Sequence, residues 1–307
     1  MAFNVVKPGM LALIQDLGRH GYQHLGVTSG GPMDELAFRW ANALLDNADN
    51  APQIEITFGM LTLEAQANTS IAITGADLGA QLNDKPILPW QTYPIKKGDV
   101  LSFQQPNHGL RAYLAVKGGF QVEPVLGSVS TVMREQLGGL SGKGKKLEKG
   151  DKLPFTGTDD HVQRIVPRLA IPNYDNPDIP VVMGYQFKTF SGLDRAHFFG
   201  SDFKVTPDSD RMGYRMNGRA IGGDKKGIIS EGIAYGAIQI PNDGQPIVLL
   251  RDRQTIGGYP KIGCVTAFGG GLLAQKKPGD IIGFHCVSVD QAERERLLQM
   301  ARIAQWR

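Results

Sequence analysis

Polar side chains crowd one stretch of otherwise strand-like sequence, where Gln239, Gln245, Asp252, Gln254, Thr255 and Lys261 surround a Gly257-Gly258-Tyr259-Pro260 turn. Polar groups set among apolar strand residues must find hydrogen-bond partners, and a ligand is one such partner. Asp252 suits a general base or a group that orients a lysine. Gln254 and the backbone amides near Gly257 and Gly258 suit an oxyanion, and Lys261 supplies a positive charge. Gln239, Gln245, Thr255 and Tyr259 are candidate substrate contacts around them. A second signal is the pattern D-x-x-R-x-G-Y, found as Asp16 to Tyr22 and again as Asp208 to Tyr214. Arg19 and Arg211 occupy matching places in it, with Tyr22 and Tyr214 close behind. Each arginine offers a planar fork that lysine cannot reproduce. The same pattern also suits a turn locked by an Asp to Arg pair, and both readings stay open.

Other chemistries find less support. His20 and His24 have helical spacing, but Gly18, Gly21 and Gly26 argue against a helix there, so no metal pair is expected. Gly139 to Lys146 fits G-x4-G-K, yet it lacks the Ser or Thr that would bind magnesium and runs into strand-like DKLPF. No G-x-S-x-G elbow occurs, and Ser128 and Ser130 have no base visible nearby in sequence. No Met-Lys-Met biotin attachment site is present, so any biotin would ride on another polypeptide.

The elements that must position these residues are mostly strands. Short apolar or alternating runs lie at 53–65, 70–76, 99–103 and 111–120, and again at 179–190, 237–241, 246–252, 264–268 and 280–289. Thirty-nine glycines among 307 residues suit many tight turns. Two segments read as helices. One follows Pro32, with Leu36, Trp40 and Leu44 on one face. The other is C-terminal and opens with Ser288 and Gln291 as a capping box.

The halves echo one another. Beside the arginine motif, Glu55-x3-Gly59 matches Glu231-x4-Gly236, and Gly98 to Phe103 matches Gly279 to Phe284, with a third such turn at Gly150 to Phe155. Two diverged copies of one β module are expected, over 1–160 and 161–307, the first carrying its helix as an insertion. The charge balance of 33 Lys and Arg against 30 Asp and Glu argues against nucleic acid as a partner. No window is long and apolar enough for a membrane span, and the N-terminus lacks a signal pattern. A cytoplasmic address with Cys264 and Cys286 as buried, reduced thiols is expected.

The blocks QDLGRHGYQHLGVTSGGPMD, RAYLAVKGGF with GSVST, SDRMGYRMNG, and GAIQIPNDGQPIVLLRDRQTIGGYPKIG resemble the allophanate hydrolase subunit 2 family, also called the biotin-dependent carboxyltransferase or KipA family. The resemblance implies two tandem cyclophilin-like β-barrel domains and a small amide or lactam as substrate. It also implies partners, namely an allophanate hydrolase subunit 1 (KipI-type) protein and a lactam-opening subunit. The implied activity is ATP-dependent opening of 5-oxoproline to L-glutamate, with ATP used through the complex. Carboxyl transfer or allophanate-type hydrolysis on urea-like amides is the alternative, and a regulatory protein binding a kinase inhibitor is a third. In such chemistry Lys261 would neutralise a phosphorylated or carboxylated intermediate, and Arg19 and Arg211 would hold a substrate carboxylate. The aromatics Trp40, Trp90, Tyr93 and Trp306 are the candidate anchors for a partner surface.

Overall fold

A computed structural model describes residues 1–222 and 228–306. Two compact units divide it. Met1–His20, Gly30–Pro172 and the residues from Gln299 on form the first, and Gly21–Ser29 with Asn173–Leu298 form the second. Residues 161–172, which the sequence pattern groups with the second half, therefore belong to the first unit. Hydrogen bonds tie them there, from Thr92 Oγ1 to the Val162 carbonyl at 2.8 Å and from Arg164 N to Thr92 Oγ1 at 2.9 Å.

The first unit contains β1 (Ala2–Pro8), β2 (Leu11–Gln15), α1 (Glu35–Leu44), β3 (Gln53–Thr57), β4 (Leu61–Ala65), β5 (Thr69–Asp77) and β6 (Gln81–Leu82). It continues with β7 (Lys85–Pro86), β8 (Gln91–Ile95), β9 (Val100–Ser102), β10 (His108–Val116) and β11 (Lys152–Pro154). Six strands form one sheet in the order β11-β1-β4-β9-β6-β7, and five form another in the order β2-β3-β10-β5-β8. Alternating residues such as Phe3, Val5, Leu61, Leu63 and Leu101 from one sheet meet Ile14, Ile54, Ile56, Ile73 and Leu114 from the other in a single apolar core. The apolar run at 53–65 becomes two strands because Phe58, Gly59 and Met60 all take left-handed conformations. A Cβ on Gly59 would collide with the Gln104 carbonyl, so this hairpin needs glycine.

Helix α1 forms where its spacing predicts, with Asp34 as N-cap accepting from Ala37 N at 3.1 Å. Trp40 is buried and meets Trp306 edge to face at 6.2 Å. Trp90 is also buried, its indole donating to the Gly75 carbonyl. Tyr93 donates to the Leu88 carbonyl. These rings are packing residues here, which argues against Trp40 and Trp90 as partner anchors. Below α1, buried Glu55 accepts from Met33 N and from the Tyr113 hydroxyl, both at 2.8 Å. Burial, and then the Glu55 charge, push the Tyr113 hydroxyl well above its usual range.

The second unit contains β12 (Asp178–Met183), α2 (Gly192–Gly200), β13 (Phe203–Val205), β14 (Gly213–Gly218), β15 (Glu231–Gly232) and β16 (Ala237–Gln239). After these come β17 (Ile247–Leu249), β18 (Ile256–Gly257), β19 (Lys261–Val265), α3 (Ala267–Ala274), β20 (Ile281–Val287) and α4 (Val289–Trp306). Seven strands close a barrel in the order β12-β19-β16-β17-β14-β13-β20, and β15 pairs with β18 as a separate ribbon. The mainly β architecture with few helices agrees with the sequence. Helix α4 opens with the expected capping box, Ser288 N to Gln291 Oε1 at 2.8 Å and Gln291 N to Ser288 Oγ at 3.1 Å. Cys286 departs from expectation: it lies exposed on β20, whose inward positions belong to Ile282 and Phe284. Cys264 is partly buried, and burial pushes its thiol up to about 11.

The Gly-Asp echo is one turn used three times. Asp99, Asp151 and Asp280 each accept from the backbone N–H three residues earlier, at 2.7, 2.8 and 2.9 Å. The glycine before each has positive φ. It donates to the strand that the new strand then joins: Ala65, Val5 or Val205. This pattern is therefore legible as turn chemistry wherever it occurs.

Helix α3 is rich in glycine, which hides it from helical propensity. Its glycines are explained by closeness. A Cβ on Gly269 would meet Pro180 and Val265 at 2.9 Å, and one on Gly270 would collide with the Tyr235 hydroxyl. Gly270→Ala should therefore cost about 1–3 kcal/mol of stability. Gly200→Ala, where nothing lies within 4 Å, should be neutral or gain up to about 1 kcal/mol. Urea unfolding of both variants checks this, and equal losses would contradict it.

Candidate functional site

The polar cluster of the second unit is built where its two small pairings meet. The ribbon sets Glu231 opposite Gly257, and the barrel sets Gln239 opposite Lys261. After β12 the chain turns through a short 3-10 helix at Phe187–Thr189, held by Gly184 N to the Ile262 carbonyl and Phe187 N to the Gly184 carbonyl. That turn brings Tyr185 and Gln186 to β19. Gln186 Oε1 accepts from Lys261 N at 2.7 Å, while its Nε2 reaches Glu231 Oε1 at 2.9 Å and the Tyr185 oxygen at 2.7 Å. Glu231 also accepts hydrogen bonds from the Lys261 ammonium and from the Tyr185 hydroxyl.

These bonds shift the titration of two of the groups. The Lys261 bond first, then the Tyr185 bond, hold the Glu231 carboxyl below its usual value, so it stays ionised. The same carboxylate pushes the exposed Tyr185 hydroxyl up. An ammonium, a carboxylate, a phenol and a carboxamide thus converge, with Tyr185 76% exposed and Lys261 7%. Such a group can bind and orient a small polar molecule by charge-assisted hydrogen bonds.

The sequence-derived candidates divide. Lys261, Gln239 and Gly257 fall in this cluster. A Cβ on Gly257 would stand 2.8 Å from Gln239 Nε2. Arg211 and Asp252 instead form a bidentate pair with both bonds at 3.0 Å, each residue under a tenth exposed. Asp252 is thus committed to Arg211, and the carboxylate that orients Lys261 is Glu231. Breaking a buried pair of this kind by removing one partner costs about 3–5 kcal/mol, which suits a scaffold role better than a substrate fork. Arg19 is 1% exposed and donates to the carbonyls of Val125, Ser128 and Ser130. Asp16 accepts from Ser128 Oγ, Ser130 Oγ and Val129 N in the same loop. The two D-x-x-R-x-G-Y copies therefore lock turns, with different partners from those expected.

Tyr214 is buried, its hydroxyl on the Ala274 and Lys276 carbonyls. Gln245 clasps the Gly218 backbone through both amide atoms. The Thr255 carbonyl accepts from Ile233 N, and the Gly258 carbonyl from Ile228 N. Gln254 is half-buried, Tyr259 is exposed, and Tyr22 is half-buried beside the short helix Gln23–Leu25. Glu231, Tyr185 and Gln186 are site residues that the sequence does not single out. Glu231 is visible there only as part of an echo between halves, while Gln186 lies 75 positions from Lys261.

In Gly139–Lys146 the amides of Gly142 and Gly144 are spent on the carbonyls of Gly139 and Gly138, and the segment leads into β11. It does not fit a nucleotide's phosphates, which need free amides at a helix start. Among the described residues no three His, Cys, Asp or Glu side chains converge as a metal site.

Residues 25–286 match the carboxyltransferase domain family, subdomains A and B, and the chain belongs to that family. It is 37% identical to the C subunit of 5-oxoprolinase from Escherichia coli over 99% of this chain and 97% of that protein. It is also 37% identical to the C subunit of the Haemophilus influenzae 5-oxoprolinase, over 93% and 91%. The crystal structure of K. lactis urea amidolyase superposes on the whole chain with a TM-score of 0.92 at 29% identity, and the chain spans 20% of that larger protein.

The Glu231 shift carries a sign. Its folded-state pKa is below the unfolded value, so its contribution to stability is present above that unfolded value and is lost as pH falls through the folded one. Lys261→Met removes the first cause of the shift. Carbon-13 NMR of the Glu231 carboxyl should then show titration at higher pH, and an unmoved titration would contradict the assigned bond.

Proposed function

We propose that the chain acts as the C subunit of an ATP-dependent 5-oxoprolinase and takes part, with partner subunits, in opening 5-oxoproline to L-glutamate. The observation that supports this best is the near end-to-end correspondence, at 37% identity, with two proteins of that name. The chemistry is consistent with it. Opening the lactam adds water across its C–N bond, leaving a carboxylate and an amine, and an unstrained amide needs its carbonyl activated for this. Coupling to ATP supplies that activation. The G-x4-G-K segment Gly139–Lys146 does not fit the nucleotide, so we assign ATP to the partners, an allophanate hydrolase subunit 1 (KipI-type) protein and a lactam-opening subunit. This chain contributes the Glu231, Lys261, Tyr185, Gln186 and Gln239 cluster, which binds and orients the small substrate.

We place the complex in the cytoplasm. Among the described residues no helix is long and apolar enough to cross a membrane. A second reading, carboxyl transfer to a urea-like amide, is favoured by the family match and by the urea amidolyase superposition. Any biotin would then be carried by another polypeptide.

The test is ATP-dependent glutamate release from 5-oxoproline by this chain alone, with a subunit 1 protein, and with the remaining subunit added. Turnover should require the assembled set. Full turnover by the isolated chain would contradict partner dependence. Silence in every combination, with urea-dependent activity once a biotin carrier is supplied, would favour the second reading.

A further inference from the structure

Gln239 is 2% exposed, and among the described residues its Nε2 has no hydrogen-bond partner. A buried donor left unpaired costs stability, and native structures rarely keep one without a use for it. Its surroundings form a closed circuit. Gln239 pairs across the barrel with Lys261, Lys261 binds Glu231, Glu231 pairs across the ribbon with Gly257, and Gly257 lies against Gln239 Nε2. Residues directly opposite on antiparallel strands project to the same face, so the Gln239 and Lys261 side chains are neighbours there. The lack of a side chain at 257 matters too. A Cβ would press on Nε2 and, at 2.7 Å, on Ile233 Cδ1.

A neutral carboxamide buried beside an already satisfied ion pair recognises a neutral acceptor better than an anion, because no charge remains to compensate one. It also has a specific geometry: N–H donor and C=O acceptor lie on one edge. The matching edge belongs to a cis amide, in which N–H and C=O point the same way, and a five-membered lactam is locked cis by its ring. An open-chain secondary amide is trans and presents the two groups on opposite sides.

We propose that Gln239 is a specificity-determining residue that reads the cis-amide edge of a lactam, Nε2–H donating to the ring carbonyl and Oε1 accepting from the ring N–H. This deepens the 5-oxoprolinase reading and rests on it for the identity of the substrate, but it can fail separately. The absent side chain at Gly257 spares Nε2 a collision, and the Lys261–Glu231 pair holds the strand and ribbon around it.

The experiment uses the full chain, with 2-pyrrolidinone as the cyclic probe and N-methylacetamide as the trans control. Wild-type protein should bind 2-pyrrolidinone in preference to N-methylacetamide by calorimetry. Gln239→Leu, and Gln239→Met as a second variant closer in length, should weaken that binding about ten- to hundredfold. The ligand-free Tm should stay level or rise, because an orphan donor has been removed. Equal binding of both probes by wild type, unchanged binding by both variants, or a fall of several degrees in ligand-free Tm in both variants would overturn the proposal. In the assembled complex, 5-oxoproline turnover with KM unmoved by Gln239→Leu would overturn it and leave the proposed function standing. Absence of turnover alongside Gln239-dependent binding of 2-pyrrolidinone would do the reverse.

Discussion

A largely buried lysine must be paired, and in the second unit that requirement organises the polar site. Lys261 sits on a barrel strand with its ammonium in a place where an uncompensated charge would be costly. Glu231 answers it from the separate β15–β18 ribbon, so the ribbon is tied to the barrel by charge as well as by chain connection. Tyr185 and Gln186, arriving from the turn after β12, donate to the same carboxylate. Gln186 also caps the Lys261 backbone N–H. Two separate pieces of chain thus converge on one carboxylate, and the amide nitrogen of Gln239 is left beside them with no partner among the described residues.

The remaining charged residues that looked chemical are spent on holding loops. Arg211 and Asp252 close on one another, Arg253 donates to the Ile233 and Leu250 carbonyls, and Thr28 Oγ1 donates to the Arg253 carbonyl. Burial first, and then the neighbouring Arg251 charge, lower the Arg253 pKa. In the first unit Asp16 and Arg19 do the same for the Val125–Ser130 loop. A guanidinium surrounded by carbonyls is a structural cross-brace, because its donors are directed at backbone that would otherwise lack partners.

Much of this is legible in sequence. The strand runs, the helix after Pro32, the Ser288 capping box and the Gly-Asp turns are local signals, and each appears where its chemistry requires. The family blocks are legible for the same reason. Lys261 and Gln239 stand out because polar residues inside apolar strands are anomalous, and Gly257 because it opens the Gly257-Gly258-Tyr259-Pro260 stretch. Pairing at a distance is what sequence does not supply. Asp252 is much nearer Lys261 in sequence than Glu231 is, and only the folded chain sets Glu231 on Lys261 and Asp252 on Arg211. Tyr185 and Gln186 end a strand-like run, and nothing local marks them as site residues. Helix α3 is hidden because close packing against Pro180 and Tyr235 requires glycine where propensity favours alanine.

If the Gln239 carboxamide, whose Nε2 lacks a partner among the described residues, receives the substrate amide beside Gly257 and the Lys261–Glu231 pair, its own amide protons must register the event. Side-chain amide NMR of nitrogen-15 labelled protein, with Gln239 assigned by substitution, tests this most directly. On titration with 5-oxoproline the Gln239 Nε2 protons should move downfield and exchange more slowly with solvent, as hydrogen-bonded amides do, with Gln186 shifting less. Saturating 5-oxoproline that leaves the Gln239 signals in place would contradict the assignment of Gln239 as the substrate's partner.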